Sequence, residues 1–344
     1  MRSDLSKVDA VAFDCDGVLV DARLSYDKTI KLTVEAMVKG ATKEKLSLGR
    51  AAPGLIAMVR RTGGFNSDWD NTYALTLFAY VALKGKDRKG TPLKRMETIT
   101  AKFGSAPRRA GVKDADSFLD SLFPEMSEGL KRAREFLGFP GRPNVSRLSK
   151  FFDELYFGRR LYEKSHGMPG RGPVKGYIEL EKTLVKLSTL RSLQAKLGGG
   201  RLAIVTGRPS LGTAYSLGQK VMDYFNKEAS IFIGDADVDP KMKTEYDRYR
   251  KPRPDALIRA MDKMRSNAML YVGDSAEDLL MVKDGRAQGR LGECLFAGVY
   301  GMAPVAKDQV SFFEGNGADA VVRSVNEVPS RLLMPSGKEG TQAN

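Results

Sequence analysis

Short apolar and β-branched runs punctuate the chain at Val8–Phe13, Arg201–Val205, Ser230–Ile233, Ala268–Val272 and Cys294–Val299, with a weaker one at Ala320–Val322. Each is followed by a small-residue or acidic turn, the pattern of strands buried on both faces of a parallel sheet. Helical periodicity lies between them. Ile178–Leu197 repeats apolar residues at three- and four-residue steps and stops at Gly198-Gly199-Gly200. Pro254–Arg265 opens with proline at a first helical position, and Ala276–Asp284 is apolar on one side with acids near its start.

Strands alternating with helices predict an α/β protein built on a doubly wound, Rossmann-like parallel sheet. The alternation begins at Val8, breaks near Val20 and resumes around Ile178. What lies between reads as helix: Tyr26–Val38, Trp69–Leu83, Ser117–Leu137 and Leu148–Glu163 are amphipathic. The expected organisation is a core of residues 1–21 plus 176–334 interrupted by an all-helical domain, 22–175. The small, polar tail 335–344 is expected to be disordered.

With 344 residues the chain can bury a full core and suggests two domains. No apolar run is long enough to span a bilayer and the first residues lack a signal-peptide stretch, so a cytoplasmic location is expected. Cys15 and Cys294 sit in apolar, strand-like runs and read as buried thiols; two cysteines make no disulfide framework. The single histidine, His166, excludes chemistry that needs two, including most zinc sites.

The formal charge of +14 is uneven. Between Lys84 and Lys113 ten Lys/Arg face only Asp87 and Glu97, among four glycines and two prolines. The stretch reads as a basic insertion forming a long exposed loop, either simply solvated or steering a polyanion.

Ligands of an open parallel sheet bind beyond the carboxyl ends of its strands, so the residues that follow each strand matter most. The first strand is followed by Asp14-Cys15-Asp16-Gly17-Val18, the second by Thr206-Gly207-Arg208-Pro209, and the fourth by Gly273-Asp274-Ser275-Ala276-Glu277-Asp278. Lys251-Pro252-Arg253 precedes the Pro254 helix. These groups supply what phosphoryl transfer to a carboxylate requires. One carboxylate can act as nucleophile, and another, two residues on, can trade a proton with the leaving oxygen and with water. Hard carboxylate oxygens suit magnesium, while a hydroxyl, backbone N–H groups and a lysine can neutralise the transferring oxygens. Several carboxylates facing a phosphate would repel it without a cation.

Asp14-x-Asp16-Gly-Val, Thr206-Gly, Lys251 and Gly-Asp274-Ser-x-x-Asp278, in this order, resemble the four signature motifs of the haloacid dehalogenase superfamily. Each alone is weak, since Asp-x-Asp-Gly also occurs in calcium loops and turns. The resemblance covers about residues 1–21 and 176–330. It implies that Asp14 is nucleophile and magnesium ligand, and that Asp16 is general acid/base and offers the metal its carbonyl. It further implies that Thr206 and Lys251 hold the phosphoryl group, and that Asp274 binds the metal with Asp278 supporting it. The second aspartate argues for phosphate rather than carbon–halogen chemistry. Blander readings stand beside these: Lys251 as a surface lysine among Arg248, Arg250 and Arg253, Asp278 as a first-turn acid, and Arg208 as either a phosphate contact, like Gly207, or an ordinary surface arginine.

In the superfamily a helical insertion after the first strand is a cap that contributes substrate contacts. The segment Gly63-Gly64-Phe65-Asn66-Ser67-Asp68-Trp69-Asp70, with Ser25-Tyr26 and Glu154-Leu155-Tyr156-x-Gly158, resembles one helical-capped branch of it. By local chemistry alone, Asn66 and Asp68 are natural caps of the helix that follows. The resemblance implies Asn66, Asp68 and Trp69 as substrate contacts, with Tyr26, Arg60, Arg61 and Arg159 as further candidates. His166 falls in a Gly/Pro-rich return segment, Ser165–Gly176, and reads as a hinge residue. The expected activity is hydrolysis of a small phosphorylated metabolite, with no membrane partner. A phosphomutase using the same intermediate is one alternative. A nucleic-acid-associated protein using the basic stretch is another, to be separated by salt-dependent binding.

Overall fold

A computed structural model describes residues 4–62, 65, 67–86, 89–105, 111–238 and 248–333. The chain divides into two compact units, Met1–Ala22 with Glu181–Asn344, and Arg23–Leu180. The first holds a six-stranded sheet in the order β5-β4-β1-β6-β7-β8. Its strands are β1 Ala10–Phe13, β4 Leu202–Thr206, β5 Ile231–Phe232, β6 Ala268–Gly273, β7 Glu293–Val299 and β8 Ala320–Val322. Every pairing in it is parallel.

All four side chains of β1 are fully buried, which is why the strand has no polar alternation: helices cover both faces of a central parallel strand. From β1 the chain builds outward through β4 to β5, then crosses to β6 on the other side of β1. The order therefore reverses between β1 and β6, the place where open parallel sheets bind their ligands, beyond the carboxyl ends of the strands. A separate antiparallel pair, β2 Val20–Asp21 with β3 Lys182–Thr183, has no counterpart in the sequence expectations. It replaces the start of the helix expected over 178–197. Tyr177–Leu180 is a single 3-10 turn and the helix begins only at Leu187.

The helical unit contains α1 Arg23–Thr42, α2 Ala52–Arg60, α3 Asp68–Lys84, α4 Pro92–Gly104, α5 Val112–Leu122, α6 Ser127–Leu137 and α7 Arg147–His166. α3 departs from the expected amphipathic pattern. Residues 71–79 and 81–83 are buried around its whole circumference, because the other six helices all pack against it. The helix expected over 117–137 is two helices, broken at Phe123 where the Pro124 turn begins.

The basic stretch 84–113 is not one long loop. Its centre is α4, capped by the Thr91 side chain on the Lys94 N–H. Met96, Ile99, Thr100 and Phe103 form a buried stripe at helical spacing, and Phe103 packs on Phe65, Phe78 and Phe118. Lys94 and Lys102 are exposed, while Arg95 turns inward to donate to the Ala82 and Gly90 carbonyls. The charges mask an amphipathic helix rather than replacing it. The 335–344 tail lies outside the described residues.

α7 kinks at Gly158, whose φ of 71° and ψ of 168° leave the helical region. A Cβ there would stand 2.3 Å from the Gly176 nitrogen. Gly158→Ala is therefore expected to cost about 3 kcal/mol or more, read as a lower midpoint in chemical denaturation. An unchanged midpoint would mean that the kink can be relaxed. Among the described residues no helix is long and apolar enough to cross a membrane.

Candidate active site

The carboxyl ends of β1 and β6 lie side by side, and the ladder continues one step beyond them: the Asp14 N–H donates to the Val272 carbonyl at 2.9 Å. This fixes Asp14 at the reversal of strand order. Three N–H groups, of Val18, Leu19 and Val20, then converge on the Cys15 carbonyl and turn the chain sharply. Gly17 sits in that turn with φ of 73°, and a Cβ on it would lie 1.9 Å from Asp274 Oδ2. Only glycine lets the loop after β1 close against the loop after β6.

One oxygen from each of Asp14, Asp274 and Asp278 lies within 4.8 Å of the others. Lys251 Nζ stands among them, 2.8 Å from Asp14 Oδ1 and 2.7 Å from Asp278 Oδ1. The three carboxylates are not equivalent. Asp278 is fully buried and its oxygens accept five donors: Lys251 Nζ and the Tyr271 hydroxyl on Oδ1, and the Asp274 N–H, Ser275 N–H and Ser275 hydroxyl on Oδ2. It also closes a capping box with Ser275 at the start of the helix Ala276–Ala287. Asp278 thus serves the scaffold, orienting Lys251 and the loop that carries Asp274, and has the least capacity of the three for a metal.

The electrostatics follow the same division. Burial alone would raise the Asp278 carboxyl, but Lys251 and the hydrogen bonds from Ser275 and Tyr271 hold it below the ordinary value. Burial alone would lower Lys251, but Asp14 and Asp278 hold it well above its ordinary value, so it stays an ammonium. Asp14 is raised, chiefly by burial, with Lys251 opposing. Asp274 is raised well above the carboxylate range, first by burial and then by repulsion from Asp14 and Asp278. Since Lys251 is shared with Asp278, Asp14 and Asp274 together are short of positive charge. Their hard oxygens, their proximity and their mutual repulsion suit a divalent cation.

Thr206 ends β4, the strand beside β1, and its buried hydroxyl accepts from the Arg208 N–H at 3.3 Å. A Cβ on Gly207 would meet no atom within 4 Å, so this backbone is open to close approach. Arg208 is not the ordinary surface arginine of the blander expectation: its side chain is 1% exposed. It donates to Asp16 Oδ1 at 2.9 Å and to Glu181 Oε2 at 2.7 Å. The guanidinium is committed to two carboxylates because both approach it inside the core unit. Glu181 and Tyr271 are parts of the site that sequence reading missed. So is Gln309, which donates to the Asp274 carbonyl at 2.8 Å. Glu181 and Gln309 stand next to no motif, and Tyr271, inside the apolar run before Gly273-Asp274, reads by itself as a core residue.

Among the described residues, those expected to touch substrate from the helical unit have structural partners there. Asn66 lies outside the described residues. Asp68 Oδ1 accepts from Arg60, which also reaches Asp27. The Trp69 indole N–H donates to Asp153 Oδ1 at 2.9 Å, and His166 Nε2 stands 3.0 Å from Asp153 Oδ2. His166 is the last residue of α7, with its side chain 3% exposed, and not part of a loose hinge. Tyr26 stacks on Tyr156 with ring centroids 4.9 Å apart. Arg61 and Arg159 are exposed; the Arg61 side chain donates to the Ala57 carbonyl and the Arg159 N–H to Pro173.

No family model matches the chain, and no curated protein matches it. Among solved structures it is similar to the phosphatase Tt82 from Thermococcus thioreducens, at 24% identity and a TM-score of 0.53, over 89% of this chain and 99% of that one. A predicted phosphoglycolate phosphatase from Haemophilus somnus matches at 12% identity and a TM-score of 0.46, over 94% and 98% of the two chains. A conserved haloacid dehalogenase-like protein of unknown function from Agrobacterium tumefaciens matches at 16% identity and 0.40, over 95% and 98%. Strand order and the Thermococcus match together define the class by fold: the chain shares the fold of that phosphatase, an α/β Rossmann-like core with an inserted helical unit.

Proposed function

We propose that the protein is a magnesium-dependent phosphomonoester hydrolase that acts on a small phosphorylated metabolite through an aspartyl-phosphate formed on Asp14. The observation that carries this reading is the Asp14–Lys251–Asp274 cluster at the strand reversal, which pairs a fixed carboxylate with a lysine ammonium 2.8 Å away. A carboxylate of Asp14 attacks phosphorus, and the bond to the leaving oxygen breaks as Asp16 delivers a proton to that oxygen. Water then attacks the acyl phosphate, giving its proton to Asp16 and releasing inorganic phosphate and free Asp14. The Thr206 hydroxyl, the Gly207 N–H and Lys251 hold the transferring oxygens, whose negative charge grows in the transition state. Magnesium, held by Asp14, Asp274 and the Asp16 carbonyl, would supply the charge neutralisation that lets carboxylates face a phosphate.

The test is release of inorganic phosphate from a panel of phosphorylated metabolites and para-nitrophenyl phosphate, with magnesium and with chelator. Magnesium-dependent release is expected. No turnover of any panel member in magnesium would overturn the reading. Conversion of a sugar phosphate to its positional isomer without net release would place the second phosphoryl acceptor on a sugar hydroxyl instead of water.

A further inference from the structure

Arg208 and Glu181 form an ion pair with both side chains 1% exposed. Removing two charges from water is costly, and apolar residues of similar size commonly serve folding as well or better. What the pair does that apolar residues could not lies in its third member. Arg208 uses one arm of its planar fork, NH2, on Glu181 Oε2 at 2.7 Å and on the Ser216 hydroxyl at 3.1 Å. The other arm, NH1, reaches Asp16 Oδ1 at 2.9 Å. Asp16 is far more open, its side chain 40% exposed, so it meets solvent on one side and a rigid donor on the other.

The anchor is itself braced. Glu181 immediately precedes β3, which pairs with β2, four residues beyond Asp16. Ser216 lies on the helix Ser210–Leu217, donates to Glu181 and accepts from Arg208, while the Thr183 hydroxyl donates to the Ser216 carbonyl at 3.0 Å. Three separate elements therefore fix the direction of one guanidinium.

We propose that Arg208, braced by Glu181 and Ser216, is a positioning residue that fixes the Asp16 carboxyl for proton transfer to the leaving oxygen. With Oδ1 on the guanidinium, the exchanged proton travels on Oδ2, and a carboxyl that cannot rotate offers that oxygen in one place. In this role Arg208 acts through Asp16. Glu181 has a second use: it matches the arginine's charge, so the pair holds Asp16 by direction more than by net field. Lysine could not replace the arginine, since an ammonium lacks the planar fork that spans both acceptors. This inference rests on the hydrolase reading above.

The experiment measures kcat/KM across substituted phenyl phosphates, from para-nitrophenyl phosphate to phenyl phosphate, for the wild type, Arg208→Lys and the double variant Arg208→Met/Glu181→Met. The double variant removes both buried charges together, so no uncompensated ion is left to unfold the core. A well-stabilised leaving group needs little protonation, whereas phenolate needs it strongly. The expected result is that phenyl phosphate loses at least about tenfold more than para-nitrophenyl phosphate in both variants, as when a general acid is displaced. KM should change little. Equal losses across the series, or a wild-type dependence on the leaving group, would overturn the inference while Asp14-dependent turnover kept the hydrolase reading intact. Absence of Asp14-dependent turnover in the wild type would overturn both.

Discussion

Asp14→Asn protein is expected to release phosphate at least about four orders of magnitude more slowly than the wild type, the scale on which removal of a covalent nucleophile acts. The fold should survive, because asparagine keeps the side-chain volume and Lys251 retains Asp278 at 2.7 Å. Magnesium at any concentration should not restore the rate. Two measurements check this. Steady-state phosphate release gives the loss, and mass spectrometry of rapidly quenched wild-type enzyme should find phosphate on the peptide that contains Asp14. A variant within tenfold of wild type would mean that water attacks phosphorus directly and that the acyl phosphate does not form.

The second large effect concerns the cation and reads out as stability. In metal-free protein Asp274 is raised well above the ordinary carboxylate value of 3.8, and Asp14 is raised as well. The folded state therefore holds protons more tightly than the unfolded state does. Stability from these groups is fully present below about pH 4 and is lost as pH rises through their folded values. Asp274→Asn removes one of these losses. The metal-free variant is expected to melt higher than metal-free wild type at neutral pH, by a few °C. Magnesium should reverse the order. At a hundred times its Kd it adds about 2.7 kcal/mol to the wild type and nothing comparable to the variant, which lacks a ligand. Thermal melts of both proteins, with chelator and with magnesium, contain the whole test. Equal magnesium stabilisation of both would remove Asp274 from the metal site.

The sheet and the motif residues were legible because their signals are local. A strand buried on both faces must be continuously apolar, as β1, β4 and β6 are, and the polar residues directly after such strands have little role beyond the site. The Arg208–Glu181 pair was not legible, since 27 residues separate its members and neither looks buried in its own neighbourhood. Lys84–Lys113 misled for a different reason. Charge density and Gly/Pro content dominate the stretch, while the buried stripe of α4 is only four residues. The β2–β3 pair, two residues on each side, is too short for periodicity to register and depends on a partner about 160 positions away.

That short ribbon has a consequence for how the protein could have been assembled. Asp21 and Lys182 are direct cross-strand partners, and the entire helical unit is strung between them. A tight two-residue turn would close the same strands into an ordinary hairpin without disturbing any strand of the main sheet. The helical unit is thus a cassette spliced into a hairpin tip, with its exit held beside its entry. Such a socket can accept inserts of very different length, so the chemistry at the sheet and the identity of the insert are free to evolve on separate schedules.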